Sequence, residues 1–90
     1  MAMDGMDVNE VRNIGNQLKH QANEIHQVIA QVDAAINHAI NVWHGNDANQ
    51  FHDWWNSQHK PALTHAQQAI DGLGQSALNN AQEQENVSGH

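Results

Sequence analysis

Between Val11 and Trp43 the small and apolar residues fall at alternating steps of four and three: Val11, Gly15, Leu18, Ala22, Ile25, Ile29, Val32, Ile36, Ala39 and Trp43. That spacing keeps one stripe of a helix turned toward a neighbour over its whole length. A second set, Ile14, Val28, Ala35 and Val42, recurs at multiples of seven beside the first, with Gln21 the exception. The apolar face is thus wider than a two-stranded coil requires and suits a helix bundle. Asp7 or Asn9 is placed to cap the start, with Glu10 near the positive end of the helix dipole. Helix one is expected over about 7–42, a rod of roughly 50 Å.

The second half carries a looser version of the pattern. Ala48, Phe51, Trp55, Ala62, Ala66, Ile70, Leu73, Ala77 and Ala81 step by threes, fours or their sums, with Leu63 and Ala69 at the margin. Asp47 and Gln50 resemble a capping box, and Asn46 is the competing cap. Pro61 falls inside the stripe, where it removes a backbone hydrogen bond and crowds the turn before it, so a kink or a break is expected there. Helix two is expected over about 47–82. The polar "QEQENVSGH" ending has little to bury, and 83–90 is expected to be a flexible tail.

Residues 43–47 are then the turn. Gly45 is free to take a left-handed conformation that ends the first helix, and Trp43 can fold over the start of the second, near Phe51, Trp54 and Trp55. The expected fold is all-α: an antiparallel helix-turn-helix hairpin in a single domain. Its core would come from Val11, Leu18, Ile25, Ile29, Val32 and Ile36 on one helix and Phe51, Trp55, Leu63, Ile70 and Leu73 on the other. Stripes of this width exceed what one hairpin can cover, so dimerisation into a four-helix bundle is expected. A chain of 90 residues, 39% hydrophobic, is also close to the size at which one copy struggles to build a sufficient core.

Composition removes several classes of function. The net charge is −7, with Arg12, Lys19 and Lys60 the only Lys or Arg residues, so neither nucleic acid nor an anionic membrane is an expected partner. No apolar run approaches the roughly 20 residues of a membrane span, and the acidic start lacks the features of a cleavable signal peptide. There is no cysteine. Seven of the histidines, His20, His26, His38, His44, His52, His59 and His65, are separated by six, seven, eight or twelve positions, never by the three or four that puts two ligands on one helical face. No metal site, cofactor or catalytic group is expected, since the Ser, Asp, Glu and His residues lie on polar helix faces with no phosphate cradle or nucleophile elbow.

Trp43-His44-Gly45 at the midpoint, Phe51 and Trp55 four apart after it, and the ladder Ala66, Ile70, Leu73, Ala77 together resemble the WXG family of type VII secretion substrates, early secreted antigen type. The resemblance spans nearly the whole chain. It implies a protein secreted without a cleavable signal peptide and cytoplasmic before export. Its partners would be a second copy or another WXG-family hairpin and the membrane ATPase of the secretion machinery. Trp43 and Gly45 match the family's turn motif. Ala81 to Glu85 stands where self-exporting members carry Tyr-x-x-x-Asp/Glu; Glu85 supplies the acid but Ala81 replaces the Tyr, a degenerate secretion signal that implies travel with a Tyr-bearing partner. The alternative is an intracellular structural or adaptor coiled coil that is not exported.

Overall fold

The computed structural model describes residues 6–88. They form two antiparallel helical arms joined at residues 43–45, in a rod measuring 66 × 16 × 15 Å. The first arm is α1, Val8–Val42. Asp7 caps it, its carboxylate accepting the Glu10 amide at 3.1 Å. The helix stops because Trp43 turns extended (φ −128°, ψ 111°).

Gly45 does not take the expected left-handed helical conformation. Its φ of 120° and ψ of −179° lie in the mirror-image extended region that is open essentially to glycine alone. From there it acts as the N-cap of α2, Asn46–Trp54, and its carbonyl accepts the Asn49 amide at 3.2 Å. Neither Asn46 nor Asp47 is the cap; both lie in the first turn of α2, where the Asp47 carboxylate faces the positive end of the dipole.

The second arm does not break at Pro61. Instead α2 passes into one π turn, Trp55–His59, and then into α3, Lys60–Ser88. In the π turn the Lys60 amide donates to the Trp55 carbonyl, five residues back rather than four. The wider turn relieves the clash that the Pro61 ring would otherwise make with the preceding turn.

α3 also runs to Ser88, past the end expected near residue 82, so the expected flexible tail is corrected for residues 83–88; the remainder of that tail lies outside the described residues. Two contacts account for the extra helix. Arg12 of α1 pairs with Glu85 at 3.2 Å, and Gln82 donates to Asn86 one turn on at 3.1 Å.

The interior is narrow. Ile29, Ile36 and Trp55 form its bulky part, with Ile25 and Val32 against them, and Ala22, Ala48 and Ala81 fill the remainder. At the open end the arms meet backbone to backbone. A Cβ built on Gly74 would stand 2.9 Å from the Gly15 carbonyl oxygen, and one on Gly15 would stand 2.9 Å from the Leu78 side chain. Gly72 faces open space. The two α3 glycines should therefore respond oppositely to alanine. Gly72→Ala gains helix propensity worth about 1 kcal/mol, a rise in Tm of about 4–8 °C. Gly74→Ala forces the arms apart and lowers Tm despite the same local gain, and thermal unfolding followed by circular dichroism measures both.

Candidate interaction surface

Along α3, Gly74 and Ala81 are buried, and Thr64, Gln67, Ile70, Asp71, Ala77 and Leu78 are half-buried. Four of them stand one position after a member of the expected stripe: Gln67 after Ala66, Asp71 after Ile70, Gly74 after Leu73, Leu78 after Ala77. The reason is the π turn. It holds one residue more than an α turn, and one residue is about 100° of rotation. Leu63 and Leu73, expected in the core, consequently lie exposed on the hairpin, Leu73 at 61%; Phe51, also expected there, is exposed ahead of the turn, where it packs on Trp43 instead. Val11, Leu18, Ile25, Val32 and Ile70 are half-buried, and Ile29, Ile36 and Trp55 are buried.

The displaced apolar residues gather on one side. Ile14, Val28 and Ala35 each immediately precede a buried residue of α1 (Gly15, Ile29, Ile36), and Trp54, Leu63 and Leu73 each immediately precede a buried or half-buried residue of the second arm (Trp55, Thr64, Gly74). Antiparallel helices are exchanged by a half-turn about an axis normal to the plane that contains them, and that rotation leaves the front in front. Residues offset in the same sense from the two inward stripes therefore share one face of the hairpin. This face carries exposed Ile14, Val28, Trp54, Leu63 and Leu73, interspersed with polar residues that include Glu10 and Glu24.

The other flank is ionic. Arg12, Lys19 and Asp33 each follow an inward α1 residue, and they pair across the hairpin with Glu85 at 3.2 Å, Asp71 at 3.3 Å and Lys60 at 3.0 Å. All three Lys and Arg residues of the chain are thus engaged between the arms. Partly exposed pairs contribute at most about 1 kcal/mol each, so their chief effect is to fix the register.

Asp33 does more than pair. Its Oδ1 accepts both the Trp55 indole N–H at 2.9 Å and the Lys60 ammonium at 3.0 Å. In a regular helix, residues five apart stand about 140° apart around the axis. The π turn brings these two onto one oxygen, and Asp33 fastens the turn at both ends. The indole bond first, and the Lys60 bond second, hold the Asp33 carboxyl below the usual carboxylate range. The sequence pattern gave no sign of this, because Asp33 and Lys60 read there as ordinary polar-face residues.

At the tip, Trp43 packs on Phe51 with ring centroids 5.6 Å apart, tilted by 53°. Trp43 keeps 44% of its surface exposed and Trp54 52%, whereas Trp55 is turned inward. The corner thus combines Trp43, packed on Phe51, with the positive-φ Gly45. At the far end, Ala81 is completely buried and the Glu85 carboxylate is held by Arg12. Among the described residues no helix is long and apolar enough to cross a membrane, and no three His, Asp or Glu residues are placed to hold a metal.

An all-helical hairpin closed by a Trp-x-Gly corner defines a class of small two-helix proteins. The model of one such family, WXG100, described as proteins of 100 residues with WXG, matches residues 5–87. The chain belongs to the WXG100 family, a family associated with type VII secretion. No curated protein and no solved structure matches it.

Replacing Asp33 by Asn should lower Tm at neutral pH by weakening both bonds. Because the folded state holds this carboxyl more acidic than the unfolded chain does, its contribution is complete above the ordinary carboxylate pKa of about 3.9 and is lost as pH falls through the lowered value. The Tm gap between the parent and Asp33→Asn should accordingly close only in strong acid, as a pH series of thermal melts would reveal.

Proposed function

We propose that this protein acts by association: two hairpins pack their apolar faces together as a four-helix bundle, and the assembly is a substrate of a type VII secretion system. The observation that carries the first half is the exposed face of Ile14, Val28, Ala35, Leu63 and Leu73, opposite a flank already closed by ion pairs. Membership of WXG100 supports the second half. The activity is non-enzymatic. Trp43 and Gly45 shape the end presented to the secretion ATPase.

The tail reading is refined by burial. A tyrosine at position 81 would meet α1, since Ala81 has no exposed surface. The degenerate signal Ala81 to Glu85 is part of the hairpin seam, which favours export alongside a partner that supplies the tyrosine.

Leu73→Asp separates association from folding, because Leu73 stands outside the hairpin interior. Removing one buried leucine costs about 1.5–3 kcal/mol. Light scattering should show the assembly weakened at least about tenfold with helicity unchanged. Ile29→Asp, by contrast, strikes the interior of the hairpin and should unfold it. In cells, the chain should reach the culture medium only when the secretion ATPase is present. Recovery from the cell fraction alone, with or without that ATPase, would instead establish the intracellular adaptor reading.

A further inference from the structure

We infer that residues 72–88 of α3 are a strap, hinged at Gly72 and clasped by Arg12 on Glu85, that opens from α1 as one unit while the tip half of the hairpin stays folded. The inference concerns a single hairpin and goes beyond the association proposed above, on which it does not depend.

The large buried side chains are confined to the tip half. Ile29, Ile36 and Trp55 are buried there with Ile25 and Val32 against them, and Asp33 adds two bonds across the arms. Of residues 72–87 only Gly74 and Ala81 are buried, and residues 8–22 of α1 bury only Gly15 and Ala22. Hydrophobic stabilisation follows the apolar area removed from water, so the open half of the hairpin is held by far less of it. Segments with few buried apolar contacts open locally, at a lower free energy than the whole molecule.

Gly72 sets the boundary. Gly74 has a packing reason to lack a side chain, since a Cβ there would stand 2.9 Å from the Gly15 carbonyl oxygen. Gly72 faces open space and has no such reason. It lies inside a helix, where glycine holds the backbone less firmly than any other non-proline residue. Immediately before it, Asp71 is pinned to Lys19 at 3.3 Å, which fixes α3 on the tip side. The sole glycine of α1 is Gly15, and its contact with Leu78 and Gly74 accounts for it. α3 is therefore the arm that moves.

The far end of the strap carries one ionic fastening, Arg12 on Glu85 at 3.2 Å, with both side chains partly exposed. Such a pair is weak and is screened by salt, so it holds the segment without locking it. Closed, the strap keeps Ala81 against α1 with no exposed surface. Open, it releases residues 81–85 from the seam. A detached helix of about 15 residues is marginal in water, so opening is followed by unwinding.

Hydrogen exchange read by mass spectrometry, at dilutions below association, tests the strap. The amides of residues 76–88 should exchange together, at least about 100-fold faster than those of 25–36, with the step falling just after Gly72. Arg12→Gln should speed exchange of the strap about two- to fivefold and leave 25–36 unchanged, and molar salt should act in the same direction. Gly72→Ala should slow the strap about fivefold. Strap amides that exchange at the rate of 25–36 would mean that α3 opens only with the whole molecule, which overturns the strap. A smooth gradient inward from residue 88, or a Gly72→Ala protein that exchanges like the parent, overturns the hinge. An Arg12→Gln protein whose residues 76–88 are unaffected overturns the clasp.

Discussion

Pro61 has no amide hydrogen, and its ring claims space that a regular helix gives to the carbonyl four residues earlier. A long helix can meet that demand by bending, by breaking or by widening one turn, and here it widens. The choice is bound to Asp33, whose single oxygen collects the Trp55 indole and the Lys60 ammonium across the widened turn. Everything beyond residue 60 takes its rotational phase from this point. The glycine contact with α1, the Lys19–Asp71 pair and the outward position of Leu73 are all consequences of it.

The interior that results is lean. Beyond Ile29, Ile36 and Trp55, its fully buried apolar residues are alanines. Small side chains let the arms lie close, which favours dispersion contacts but removes little apolar surface from water. A hairpin arranged in this way gains rigidity from its ion pairs and backbone contacts, and leaves much of its larger apolar side-chain surface outside. In the proposed bundle the remaining hydrophobic stabilisation would come from association, so folding and assembly would draw on different residues.

Much of this arrangement is written plainly in α1. Steps of four and three tolerate one helical phase, and Gly15, Ala22, Ile29 and Ile36 are all buried as that phase requires. The corner at Trp43 and Gly45 is also legible, although the mirror-image extended backbone of Gly45 is not, because glycine is compatible with several positive-φ conformations. The second arm was harder to read for a definite reason. Periodicity assumes a constant angle per residue, and one π turn breaks that assumption without leaving a gap in the pattern. Leu63 and Leu73 therefore read as interior, while nothing in the pattern marks Gly74 and Leu78 as contacts with α1. Asp33 was hidden because its role depends on two residues that a regular helix would place on different sides. The last turns of α3 were hidden too, since their polar composition gives no apolar period, whereas Arg12 and Gln82 supply the contacts that hold them.

The corner itself carries a lesson about sequence freedom. Its first residue is held by a tilted aromatic contact with Phe51, and its third by a dihedral angle that a side chain would strain. His44, between them, is exposed and extends into solvent. A three-residue word whose outer letters are dictated by ring packing and backbone chirality, and whose middle letter is left to drift, is what this geometry would write in any chain that folds around it.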